Sequence, residues 1–213
     1  MIAEIKRKSP SKGDLDVALD PAEVAAAYAA GGAACLSVLT DTEFFGGSVA
    51  DLQAARAAVD LPVLRKDFTV CEADVYQTRA MGADAVLLIA AALDDDELAL
   101  LHATGLGIGL DVLVEVHDEA ELARAVDCGA TLIGVNQRDL VTFAVDGERA
   151  TRVAAAIPPG VVAVAESGVD GPSSAARLAA AGYIAILVGE TLMRADDRAA
   201  AVRSLRTAPA GAR

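Results

Sequence analysis

The chain has 213 residues, of which 54% are hydrophobic and 23% charged. That balance suits a large buried core, and no apolar run reaches the roughly 18 residues of a membrane span. A net charge of −13 repels a nucleic-acid backbone and no long basic tract offsets it, so neither nucleic acid nor membrane is an expected partner.

The first apolar run, IAEIK at 2–6, opens the chain with no signal-peptide pattern ahead of it, and Cys35, Cys71 and Cys128 are too scattered for a disulfide framework. Both features fit a reducing cytoplasm, and the absence of a CxxC or His cluster gives no metal site. Seven further runs follow at 35–40, 62–66, 85–90, 111–116, 131–136, 161–167 and 185–190. Each is short and apolar enough to be buried on both faces, and an Ala-rich helical stretch separates each pair. Eight such alternations are the sequence form of a closed (β/α)8 barrel, here near its minimum length. The expected organisation is α/β, one barrel over residues 1–205, with a frayed tail at 206–213.

Recurrence strengthens the reading. The second, fourth, sixth and eighth runs each follow a helix that ends at a glycine: Gly32, Gly82, Gly129 and Gly182. Glycine there can take the left-handed conformation that stops a helix, and the repeat of about 50 residues is one βαβα unit. Asp20 before Pro21, Asp94 and Asp118 read as helix caps.

In a barrel the carboxyl ends of the strands face one pocket, which brings Lys6, Lys66, Glu115, Asn136, Glu166 and Ser167 together. Residues two apart share a strand face, so Glu4 lies beneath Lys6 and can pair with it, unless both face the helices. Lys66 is a candidate general acid whose pKa desolvation would lower, with Phe68 on the same side and Arg65 and Asp67 turned away as an ion pair. Glu115 is the candidate base, held across the pocket from a lysine. His117, two residues on, is the competing candidate but reads as a structural residue before a helix cap. Asn136 and Arg138 offer an amide and a planar cation to a carboxylate, although Arg138 could equally pair with Asp139 or a neighbouring loop. Gly168 and Gly189, after the last two strands, either admit an anion to backbone N–H groups or simply make tight turns. The basic run Lys6, Arg7, Lys8 and Lys12 either meets an anionic small molecule or is a solvated terminus.

The motifs IAEIKRKSPSKG, SVLTDTEFFGGS, LRKDF, GADAVLLI, LVEVH, GVNQRDL, AESG and LVGE, in that order, resemble those of the indole-3-glycerol phosphate synthase family over essentially the whole chain. The resemblance implies a phosphate-binding (β/α)8 barrel and a carboxy-lyase of tryptophan biosynthesis that works without cofactor or metal. Its small-molecule substrate would be 1-(2-carboxyphenylamino)-1-deoxyribulose 5-phosphate, which closes a ring, loses carbon dioxide and then water. It implies Lys66 as acid, Glu115 as base, Lys6 over Glu4 as the second active-site lysine, and Asn136 and Glu166 as orienting groups. Ser9, Phe68 and Arg138 would lie near the aromatic ring and its carboxylate, with Phe44 and Phe45 as further apolar cover. Ser167, Gly168, Gly189 and Glu190 would lie on the phosphate side. The protein is expected to be cytoplasmic and a monomer or weak homo-oligomer.

Two features depart from the family. Its members usually carry an N-terminal helical extension that helps cover the pocket, whereas Met1 here stands at the first strand. Glu190 also puts a negative side chain beside the phosphate turn. The alternative reading is a lidless barrel that binds phosphorylated ligands with weak or no catalysis. Phosphoribosylanthranilate isomerase chemistry fits less well, because it would want a paired Cys and Asp at strand ends and Cys35 begins a strand.

Overall fold

The computed structural model describes residues 1–139 and 141–206. Strand β1 (Ile2–Ile5) leads into a small antiparallel hairpin, β2 (Lys8–Ser9) with β3 (Gly13–Asp14), and then α1 (Pro21–Gly31). The strands and helices that follow alternate as β4 (Cys35–Leu39), α2 (Val49–Ala58), β5 (Val63–Lys66), α3 (Glu72–Ala80), β6 (Ala85–Ile89) and α4 (Asp95–Gly107). The second half runs β7 (Asp111–Val116), α5 (Glu119–Asp127), β8 (Leu132–Asn136), α6 (Arg149–Ala154), β9 (Val162–Glu166), α7 (Pro172–Ala180), β10 (Ala185–Val188), α8 (Glu190–Met193) and α9 (Arg198–Leu205). All strands but the hairpin pair are parallel and close a barrel in the order β1-β10-β9-β8-β7-β6-β5-β4, with β1 also pairing β4.

The double burial read from the apolar runs separates into two layers. Ala3, Ile5, Leu36, Val38, Val86, Leu88, Val112 and Val114 point outward and pack under the helices. Leu64, Leu87, Leu113, Val164 and Leu187 alternate with them and fill the barrel. Burying each Val, Leu or Ile among them stabilises the fold by about 1.5–3 kcal/mol, and the inner set forms an apolar floor beneath the strand ends.

The glycine stops hold: Gly32, Gly82, Gly129 and Gly182 have φ of 88°, 93°, 88° and 107°. The caps hold as well. Asp20 accepts from Ala22 N with Pro21 in the first turn, Asp94 and Glu97 form a reciprocal capping box, and Asp118 accepts from Glu121 N.

The strands end earlier than the apolar runs suggest. Lys6, Thr40, Ser167 and Gly189 lie just beyond their strands, Ala90 opens a 3-10 turn, and Glu190 is the first residue of α8. The hairpin was not foreseen, because two-residue strands carry no periodic pattern. It is tied to the next loop by Lys8 N donating to Phe45 O at 3.2 Å and by Lys8 Nζ donating to Glu43 O at 2.8 Å. Past Arg206, the expected tail lies outside the described residues. Among the described residues no helix is long and apolar enough to cross a membrane.

Candidate active site

A cavity of about 810 Å³ opens where the barrel strands end, with Leu87, Ile89 and Leu187 at its base. Above that floor lies a charged layer built from five strands. Lys66 is the last residue of β5, Glu115 stands near the end of β7, Asn136 ends β8, Glu166 ends β9, and Glu4 comes from β1. The register places Asn136 beside Glu166. Ion pairing and hydrogen bonding tie the layer together: Lys66 Nζ is 2.7 Å from Glu115 Oε2 and 3.5 Å from Glu166 Oε2, and Asn136 Nδ2 donates to Glu115 Oε1 at 2.9 Å. Lys6 Nζ lies 2.6 Å from Glu4 Oε1, so both face the barrel rather than the helices.

Glu115 and Glu166 are buried to 1% and 2% exposure, where an unpaired carboxylate would cost several kcal/mol. The two respond differently. Burial works against the Glu115 charge, but Lys66 and the Asn136 hydrogen bond outweigh it and hold its pKa below the ordinary value. For Glu166 burial dominates over the pull of Lys66, and the charges of Glu115 and Glu4 add to it, so its pKa is pushed up to about 8. Carboxyls driven apart in this way can hold one proton and one charge side by side at neutral pH.

Lys66 departs from expectation. Desolvation does oppose its ammonium, but Glu115, Glu166 and Glu4 more than compensate, and its pKa is raised. It is therefore a charged acid rather than a nearly neutral amine, and it touches the candidate base instead of standing off across the pocket.

Phe68 lines the cavity with Phe45, their centroids 6.4 Å apart. Phe44 packs edge-on against Phe68 at 5.9 Å and is outside the cavity lining, so it supports the aromatic wall from behind. Arg65 turns to the helix side, where it donates to Asp74 O and Thr78 Oγ1. It pairs with Asp67 at 2.8 Å, but Asp67 itself lines the cavity and is not turned away as the alternation predicts. Ser9, Ser167, Gly168 and Val169 also line the cavity. Ser167 and Gly168 have φ of 62° and 69°, a tight turn whose Ser167 carbonyl accepts from Gln137 Nε2 at 2.7 Å. Gly189 has a further use: a Cβ there would overlap the Glu4 carboxylate and come 2.9 Å from Lys6 Nζ, so its missing side chain makes room for that pair.

Arg138 is not paired with Asp139. Its backbone N–H donates to Asn136 Oδ1 at 2.9 Å, its guanidinium donates to Phe143 O at 3.0 Å, and it stands 3.7 Å from Glu190 Oε2. Lys12 and Arg194 approach Glu190 Oε1 at 3.7 and 3.5 Å. The Glu190 side chain thus sits among three cations at the mouth, which removes the electrostatic objection to a carboxylate beside an anion. Of the basic run, Lys6 and Lys12 reach the cavity, whereas Arg7 is spent on Asp51 and the Val17 and Leu19 carbonyls.

One cavity residue was missed. Arg194 lines the cavity one helical turn after Glu190, a spacing visible in GETLMR. His117 Nε2 is 3.5 Å from Glu115 Oε1 while its Nδ1 lies 3.0 Å from Glu121 Oε2. His117 is not among the cavity-lining residues and is held by the helix that follows, in line with its structural reading. Among the described residues no group of three His, Cys, Asp or Glu side chains is arranged to hold a metal ion.

An eight-stranded parallel barrel with lysines and carboxylates interlocked at the strand ends defines a barrel enzyme equipped for acid–base chemistry. The fold is shared with thiamine phosphate pyrophosphorylase from Pyrococcus furiosus, at a TM-score of 0.69 and 17% identity over 96% of this chain and 91% of that one. The family model for indole-3-glycerol phosphate synthase matches residues 1–205. Curated relatives bearing that name include proteins from Nocardioides sp. (strain ATCC BAA-499 / JS614), 56% identical over 96% of this chain and 79% of the relative, and from Streptomyces griseus subsp. griseus, 53% identical over 99% and 78%. A Streptomyces coelicolor protein named indole-3-glycerol phosphate synthase 1 is 54% identical over 96% and 76%. The chain belongs to the indole-3-glycerol phosphate synthase family.

Proposed function

We propose that the protein converts 1-(2-carboxyphenylamino)-1-deoxyribulose 5-phosphate to indole-3-glycerol phosphate, carbon dioxide and water, with residues 1–205 acting as one barrel domain in the cytoplasm, as a monomer or weak homo-oligomer. The observation that carries the reading is the buried contact of Lys66 with Glu115 at the base of the cavity, in a chain matched over residues 1–205 by the family model.

The residues divide the steps as follows. The aromatic carbon that bears the carboxylate attacks the ketone carbon, and the Lys66 ammonium gives its proton to the ketone oxygen as the bond forms. Entry of that oxygen takes Lys66 from Glu115 and leaves the carboxylate free to act as a base. The carbon–carboxylate bond then breaks, carbon dioxide departs and the ring regains aromaticity. The wall of Phe45 and Phe68 favours this step by keeping water from the ring. Glu115 next removes a proton from the intermediate while a lysine, either Lys6 or a Lys66 that has regained a proton from solvent, protonates the departing hydroxyl, which leaves as water. Asn136 holds Glu115 in place, and Glu166 orients the intermediates beside Lys66. Arg138 and Ser9 lie toward the substrate carboxylate and ring. Backbone N–H groups around Ser167, Gly168, Gly189 and Glu190 lie toward the phosphate.

Purified protein mixed with this substrate is expected to yield indole fluorescence together with one carbon dioxide per product. A protein that binds the substrate and releases neither product contradicts the proposal and favours the non-catalytic phosphate-binding barrel.

A further inference from the structure

Gly134 lies in the middle of β8 at an inward-facing position, paired with Glu115 of β7 on one side and Val164 of β9 on the other. Its φ is not in the left-handed region, so no turn demands a glycine, and a glycine inside a strand weakens it. What the position lacks is space. A Cβ built there would overlap Glu166 Oε1 and stand 3.1 Å from Glu166 Cδ and 3.4 Å from Leu113 Cδ1. The Glu166 carboxylate folds back from the end of β9 over the bare backbone, which brings Oε2 within 3.5 Å of Lys66 Nζ while Oε1 is buried with no hydrogen-bond partner among the described residues.

We propose that Gly134 is a positioning residue, its missing side chain being the recess that keeps the Glu166 carboxyl group down in the charged layer beside the Lys66–Glu115 pair. The inference rests on the acid–base reading of the site given above. A methyl group at 134 would lift the carboxyl group out of this layer and loosen its hold on Lys66. Gly189, which follows the neighbouring strand β10, gives Glu4 of β1 the same allowance.

The test is a pair of double-mutant cycles over Gly134→Ala and Glu166→Ala. In turnover, Gly134→Ala is expected to lower kcat about 100-fold while KM changes less than about threefold, and the double variant should be no slower than Glu166→Ala alone. Independent, multiplying losses would overturn the proposal. In thermal unfolding, Gly134→Ala should lower the midpoint when Glu166 is present and not when it is Ala, because the clash needs both partners. If Gly134→Ala alone does not fold, recovery of cooperative unfolding in the double variant supports the recess, and a double variant that stays unfolded overturns it. Should the unsubstituted protein turn over no substrate, the proposed activity fails, and the unfolding cycle decides the packing claim by itself.

Discussion

Glu166 and Glu115 are the same side chain at inward positions on either side of β8, yet burial favours a proton on one and Lys66 a charge on the other. The difference lies in their partners: Glu115 has Lys66 at 2.7 Å and the Asn136 amide, while Glu166 has Lys66 at 3.5 Å and a bare oxygen. A carboxyl with a pKa pushed up to about 8, above its unfolded value, contributes stability that is complete below the unfolded pKa and is lost as pH rises through about 8. Glu166→Gln copies the protonated form, so its stability relative to the unsubstituted protein should be more favourable at pH 9 than at pH 5. Denaturant titrations at both pH values check this, and a pH-independent difference contradicts it. Sequence alone could place Glu166 at the mouth but not assign its proton, because that depends on fractions of an ångström between strands remote in the chain. For the same reason Lys66 was expected to have a lowered pKa, when three facing glutamates raise it.

Elements were the most legible level, since each is set by local chemistry. Four glycine stops and three aspartate caps could be read directly, and each takes the expected geometry. Gly82 illustrates the force of the signal. A Cβ there would meet nothing within 4 Å, but φ is 93°, so the only penalty of Gly82→Ala is the backbone's, about 1–2 kcal/mol. Chemical denaturation should register that loss while kcat and KM stay unchanged, because Gly82 lies at the barrel end away from the cavity. An unchanged stability would mean that the helix stop is not needed. The β2–β3 hairpin escaped the reading, and for Arg138 the choice between Asp139 and a neighbouring loop stayed open. Their partners, the Phe45 and Phe143 carbonyls, come from loops whose paths no periodicity encodes.

At the scale of the molecule, the closed barrel turns residues up to 162 positions apart, from Glu4 to Glu166, into one charged layer over an apolar floor. Convergence of the strand ends was foreseeable from the alternation alone, and the ordered motifs pointed to the family. What remained hidden was how tightly acid and base are locked together in the free protein. That lock is the centre of the account, because it makes the substrate's ketone oxygen the group that separates Lys66 from Glu115. The most direct measurement is single turnover of the carboxyphenylamino-deoxyribulose phosphate by the protein, Lys66→Ala and Glu115→Gln, with substrate binding measured on each. The account predicts that both variants still bind but lose about 100-fold or more of the rate. A variant of either residue that binds and turns over at the unsubstituted rate would contradict it.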